Sequence, residues 1–435
     1  MLKLFGLLAV AGSAAASAAS PTNHYHPIHR AVAKGTGEAN LPLGGNLLPM
    51  GIFYTEMEVG SPPKKFAVTI DTGSTDMLIP LAGCKGCKTN TTLYDPASSS
   101  TSQIEECNKT MTCRSCAPNP ANPKIEMCSF SDSYVTCDLS NLTASCTVSG
   151  VIYRDSISVG GFEAKNVKFG GINRQTDNFD QFKEIDGILG LAFEDKPPLH
   201  AMGFDVSPFE RLVEQNDNLR DVLQTCMYEE GGLLVFGQDP EHDAQFYFGS
   251  LAYTPITLDA WYTVNATALL VEGDPMNITL DELNGPFPSD PCIVDSGTNF
   301  LSLTHPAFNA VVNKFQAMCK LGVLLTGICG LSVEDSFFGG KSFKLTDEEK
   351  ALFPSVSIVL LGDNGYRDVP LPIGPDEYMI LQPDGTYRLG IMKGDCILGN
   401  THMIKYWIVY DRANQRVGFA PAIKEKCAQT RLSLM

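Results

Sequence analysis

The chain has 435 residues, of which 44% are apolar and 19% charged, so it can bury a large core and build two lobes, and disorder is not expected. Its formal net charge of −17, with a pI near 4.8, opposes binding to nucleic acid or anionic lipid. Near about pH 4 to 5 many carboxylates would be protonated and this repulsion would relax, which suits an acidic lumen.

Residues 1–19 read as a signal peptide. One basic residue, Lys3, precedes the apolar run Leu4 to Val10, and the segment ends in small residues with the A-x-A pattern Ala16-Ser17-Ala18. The apolar stretch is short and broken by Gly and Ser, which argues against a membrane anchor. Residues 20–50 are rich in Gly, Pro, Ala and His and read as a propeptide or linker. His24, His26 and His29 could in principle bind a metal, but an unpatterned terminal segment favours a solvated tail.

From Phe53 onward, short alternating runs are punctuated by Gly, Pro, Asn and Asp, the pattern of a mostly β protein with few short helices. The spacing predicts helices over Pro208 to Leu223, with its Pro in the tolerated first turn, and over Phe308 to Leu321. Fourteen cysteines, an even number, and sequons at Asn90, Asn108, Asn141, Asn265 and Asn277 fit an oxidising compartment. Residues 428–435 form a tail in which no retention or lipidation signal is expected. Secretion, or the lumen of an acidic vacuole-like or lysosome-like compartment, follows.

An internal repeat carries the most information. Ile70-Asp71-Thr72-Gly73-Ser74-Thr75 recurs as Val294-Asp295-Ser296-Gly297-Thr298-Asn299, and each copy is followed roughly a hundred residues later by Ile-Leu-Gly, at Ile188 to Gly190 and at Ile397 to Gly399. A single D-[ST]-G-[ST] reads as an Asx-turn ending a strand. Two copies, each behind an apolar strand and each with its own partner segment in the same order, imply two copies of one half-fold.

A two-fold axis between such halves can bring Asp71 and Asp295 together. Like charges at about 3 Å cannot both ionise easily, so one proton is shared and the pair supplies one acid and one base. Water can then be activated directly, with the scissile carbonyl polarised by the protonated carboxyl and no covalent enzyme intermediate. Gly73 and Gly297 allow the sharp turn and close approach that a Cβ would obstruct. The chain has no G-x-S-x-G elbow and no H-E-x-x-H motif.

These residues resemble the pepsin family of bilobal aspartic peptidases, from about Phe53 to Cys427. Gly187 to Phe193 (GILGLAF) is similar to the segment closing that family's first lobe. Gly232 to Gly237 through Tyr253-Thr254-Pro255 is similar to the crossing into its second lobe. Cys396 to Ala420, with Tyr410-Asp411-Arg412-Ala413 and Val417-Gly418-Phe419-Ala420, is similar to its C-terminal strands. The resemblance implies a bilobal pepsin-like fold with the active site in the cleft, an N-terminal lobe over 51–248 and a C-terminal lobe over 249–427. It implies catalytic roles for Asp71 and Asp295, loop-locking hydroxyls at Thr72 and Ser296, and hydroxyls of Ser74 and Thr298 bonding the outer carboxylate oxygens. Second-lobe wording is nearest the beta-secretase branch, without that branch's membrane anchor.

Two features depart from the family. The best match to the flap tyrosine is Tyr134, in Cys128 to Tyr134, without the expected Gly-rich turn. Val135 to Thr147 reads as an insertion, and Gly150 to Asp155 as the returning strand. Leu78 stands where many members have Trp. Eight cysteines between Cys84 and Cys146 resemble the Cys-rich insertion of nepenthesin-like and plasmepsin V-like peptidases. Cys84-x2-Cys87 and Cys113-x2-Cys116 also suggest a zinc knuckle, but the gap is long and the compartment oxidising, so disulfides are expected and no metal.

The expected function is therefore an aspartic endopeptidase acting on proteins or peptides at acidic pH, as a monomer without a cofactor. Its rival is a catalytically silent pepsin-fold binding or inhibitor protein. Silent members generally lose a catalytic Asp or its glycine, and all four residues are present here. A secreted Cys-rich metal-binding module is the third reading.

Overall fold

The computed structural model describes residues 37–427 except 48–50, 89, 108–112, 114, 120–121, 136–144, 177–183, 194–205, 259, 286–290 and 364–366. The proposed signal peptide, the His24, His26 and His29 cluster, Asn108, Cys137, Asn141 and the tail 428–435 lie outside the described residues.

The architecture is mostly β with few short helices, as expected. Among the described residues, one sheet of fifteen strands runs from the C-terminal hairpin Tyr406–Asp411 and Arg416–Pro421, through Val222–Met227 and Glu230–Phe236, into the first-half strands. The second half adds sheets of five, four and two strands. Period-two burial makes these strands: Phe53, Met57 and Val59 on Ile52–Val59, and Phe66, Val68 and Ile70 on Lys64–Asp71, are all at most 1% exposed.

The duplicated motif is visible in the pairing. Gly187–Gly190 runs parallel to the strand before Asp71, with Leu189 opposite Ile70 and Gly190 opposite Asp71. Ile397–Leu398 runs parallel to Cys292–Val294 in the same way, pairing Ile293 with Ile397 and Val294 with Leu398. Each Ile-Leu-Gly segment also pairs antiparallel with a strand that follows its Asp turn, through Ile188 and Leu78 in one half and Ile397 and Ser302 in the other.

Two sequence expectations change. Residues 39–46, within the unpatterned segment read as a propeptide or linker, form the strand Ala39–Asn46, which buries Ala39, Leu41 and Leu43 and joins the large sheet between Ile52–Val59 and Glu230–Phe236. The helix expected over Pro208 to Leu223 stops at Gln215. Ser207 caps its start by a reciprocal pair of bonds with Glu210, the polar stretch Asn216 to Asp221 ends it, and Val222–Met227 is a fully buried strand. The second helix spans His305–Lys320.

Six disulfides join described cysteines: Cys84–Cys87, Cys107–Cys116, Cys113–Cys128, Cys226–Cys427, Cys292–Cys396 and Cys319–Cys329. Cys146 is disulfide-bonded as well. The sulfurs of both C-x2-C pairs are thereby committed to covalent bonds. Cys292–Cys396 crosslinks the two parallel strands behind Asp295, and Ile293 N–H donates to Cys396 C=O at 3.0 Å.

Candidate active site

Asp71 ends the strand Lys64–Asp71 and Asp295 follows Cys292–Val294, so each carboxylate sits where a strand gives way to a turn. The two turns are interlocked. Thr72 N–H donates to Ser296 Oγ at 3.0 Å and Ser296 N–H to Thr72 Oγ1 at 2.9 Å, while Thr72 Oγ1 donates to Val294 C=O at 3.0 Å and Ser296 Oγ to Ile70 C=O at 2.8 Å. Both side chains are fully buried. Each hydroxyl thus donates to and accepts from the opposite turn, which fixes the spacing of the two halves without a charge.

Within each turn the carboxylate is held by its own loop. Gly73 N–H donates to Asp71 Oδ1 at 2.9 Å and Ser74 Oγ to Asp71 Oδ2; Gly297 N–H donates to Asp295 Oδ1 at 2.7 Å and Thr298 Oγ1 to Asp295 Oδ2 at 2.6 Å. Across the axis each glycine backs onto the opposite carboxylate. A Cβ at Gly73 would lie 2.5 Å from Asp295 Cγ and Oδ1, and one at Gly297 would lie 2.5 Å from Asp71 Oδ1. Glycine is required at both positions by this approach.

Burial and the adjacent Asp71 carboxylate push the Asp295 carboxyl up to about 7, against the opposing hydrogen bonds from Thr298 and Gly297. Asp295 has no solvent exposure and Asp71 is 9% exposed. The arrangement can therefore retain one proton through the acidic range, shared as a pair.

Tyr134 lies near the end of Asn122–Val135, paired with Cys146 of Ser145–Val159, so the expected outgoing and returning strands are present and the segment joining them lies outside the described residues. Gly150 to Asp155 belongs to the return. Tyr134 packs against the cluster containing Leu78, Phe130 and Ile152. Burial, then the carboxylates of Asp132, Asp76 and Asp71, hold its phenol protonated well above the usual range. Tyr134 and Leu78, the two departures noted in the sequence, thus meet in one cluster beside the Asp71 turn.

Sequence reasoning missed Asp76 and Asp132, which flank Tyr134, and Tyr262, whose hydroxyl donates to Leu191 C=O at 2.7 Å. Asp132 lies two positions before Tyr134 on one strand face, so spacing alone could have flagged it, whereas Asp76 lies beyond the Asp71 turn, where no period applies. No local signal identifies Tyr262.

Residues 52–114 and 130–422 match the family model described as "Eukaryotic aspartyl protease". Pepsin A of Bos taurus is 25% identical over 385 residues, covering 85% of this chain and 84% of that protein. Pepsin A of Gallus gallus is 23% identical over 416 residues, covering 92% and 91%.

Proposed function

The chain belongs to the eukaryotic aspartyl protease family, and we propose that it is an endopeptidase in which Asp71 and Asp295 activate water for attack on a peptide bond. Asp295, the more deeply buried partner, retains the shared proton and polarises the scissile carbonyl. The Asp71 carboxylate accepts a proton from water placed between the two, giving a tetrahedral diol, and the pair returns a proton to the leaving amine. The observation that carries this reading is the reciprocal approach of each glycine to the opposite carboxylate, a geometry that an ordinary Asx-turn does not need.

Thr72 and Ser296 fix the distance between the turns, Ser74 and Thr298 hold the outer carboxylate oxygens, and Tyr134 lies on a flap that covers bound substrate. The second lobe is nearest the beta-secretase branch and the Cys-rich segment is of nepenthesin type, readings supported by the motif wording and the crowded disulfides of the first lobe. The protein works as a secreted or lumenal monomer at acidic pH, consistent with its charge. Among the described residues no helix is long and apolar enough to cross a membrane.

Digestion of a mixed peptide library at about pH 4, with and without pepstatin, tests the proposal. Cleavage suppressed by pepstatin is expected. Cleavage indifferent to pepstatin contradicts the dyad, and pepstatin binding without any cleavage supports the silent binding protein instead.

A further inference from the structure

We infer that Arg412, just beyond the strand Tyr406–Asp411, is a positioning residue for the Asp71 turn, acting through the peptide groups of Leu191 and Ala192. The inference rests on the proposed dyad. Leu191 N–H donates to Asp71 C=O at 2.8 Å and Ala192 N–H donates to Ser74 C=O at 3.0 Å, so these two amides hold both ends of the catalytic turn. The carbonyls of the same two residues are held by Arg412. Its Nη1 reaches Leu191 O at 3.2 Å, Ala192 O at 3.1 Å and Tyr262 Oη at 3.0 Å, and Tyr262 donates its own proton to Leu191 O.

The guanidinium is itself held by two carboxylates and two aromatic rings. Nε donates to Asp221 Oδ1 at 2.7 Å, Nη2 lies 3.2 Å from Glu210 Oε1, and the group sits 4.3 Å from the centroid of the Phe193 ring and 5.4 Å from that of Phe209. The Arg412 side chain has no solvent exposure. For stability alone, apolar residues of similar volume would serve as well as such a buried ionic cluster. Nη1 alone reaches both carbonyls and the hydroxyl while Nε bonds Asp221 and Nη2 stays within ion-pair distance of Glu210, a rigid planar fork presenting charge and donors to two sides that a point ammonium does not reproduce. Arg412 and Tyr262 come from the second half of the sequence, and Leu191 and Asp71 from the first. The contact therefore ties the turn's geometry to the pairing of the two halves.

Arg412→Lys keeps the charge but replaces the fork with a point donor. It is expected to lower kcat, counted per pepstatin-titrated site, by at least about 10-fold with KM within about 2-fold. The basic limb of the kcat/KM profile should move to lower pH by about half a unit or more, because a loosened turn admits water around Asp295. Amide exchange at Leu191 and Ala192 should accelerate at least about 10-fold below the unfolding range. A variant that loses only melting temperature, with kcat, pH profile and these amides as in the wild type, overturns the inference. Should Arg412→Lys fail to fold, Tyr262→Phe removes the neighbouring donor to Leu191 O. Exchange at Leu191 should then rise by about 3-fold or more, and wild-type exchange overturns the inference. Asp295→Asn, assayed alongside, separates the two failures. Turnover surviving in it contradicts the dyad, whereas turnover lost in it while Arg412→Lys behaves as wild type contradicts only the positioning role.

Discussion

Asp295→Asn should make the protein more stable at neutral pH while leaving it nearly unchanged at acidic pH. The Asp295 carboxyl is raised from 3.8 to about 7 by burial and by Asp71. Between those values the folded chain holds a proton that the unfolded chain has released, so stability falls as pH rises through this window and is fully present below it. A shift of roughly 3 pKa units corresponds to on the order of 4 kcal/mol once pH exceeds about 7. Asparagine has nearly the same volume and cannot ionise, its Oδ1 can still accept from Gly297 N–H, and its amide nitrogen takes the place of Oδ2, where the Thr298 hydroxyl can turn to accept. The cost should vanish in the variant, with 4 kcal/mol as an upper bound because the pair titrates together. Other titrating groups are common to both proteins and cancel in the difference. Urea unfolding at about pH 4, 5.5 and 7.5 measures it. The two proteins should agree within about 1 kcal/mol at the lowest pH and diverge steadily above it. A difference that is constant with pH, or a variant less stable at pH 7.5, would refute the assignment of the buried, charge-strained carboxylate.

Three further outcomes are expected. Ser296→Ala removes an acceptor from Thr72 N–H and a donor from Ile70 C=O. It should cost about 2 to 4 kcal/mol of unfolding free energy measured in urea and lower kcat, whereas Ser296→Thr should stay within about 1 kcal/mol. Gly73→Ala places a methyl 2.5 Å from the Asp295 carboxyl, so either no folded protein is recovered or the folded fraction binds pepstatin far more weakly; wild-type affinity would contradict the spacing. His402 is fully buried against Tyr406, its Nε2 lies 3.2 Å from Leu371 O, and burial lowers its pKa to about 4 from 6.5. The unfolded chain takes up this proton first as pH falls, so His402 contributes stability above about 6.5 that is lost toward 4. In His402→Phe the dependence of stability on pH across that window should change by up to one proton, and an unchanged slope rules out a buried neutral histidine.

The duplicated half-fold was legible because its signal is arrangement rather than composition: two Asp turns and two Ile-Leu-Gly segments in matching order predict the parallel pairing seen at Leu189 with Ile70 and at Leu398 with Val294. The hydroxyls at Thr72 and Ser296 followed from the family resemblance, and the structure shows what they bond. Other features depend on what packs where. Ala39–Asn46 was hidden because its alternation spans only Ala39, Leu41 and Leu43 before two glycines, and its burial comes from neighbours far along the chain. The spacing overextends the helix from Pro208 because apolar residues continue into Val222–Met227, where all-round burial erases the period. The Cys-rich pairings could not be chosen from spacing: of the two C-x2-C pairs, only Cys84–Cys87 bonds within itself. Tyr262 and Arg412 act through contacts to Leu191 that lie 71 and 221 positions away, and no local pattern marks them.

The central claim is that Asp71 and Asp295 work as one unit on water, and the most direct measurement is kcat/KM on a single peptide cleaved at acid pH, for the wild type and for Asp71→Asn and Asp295→Asn. Both variants should fold, and each should lose at least about a thousandfold in kcat/KM, because removing either member abolishes the shared proton. Wild-type turnover in either folded variant would contradict the account.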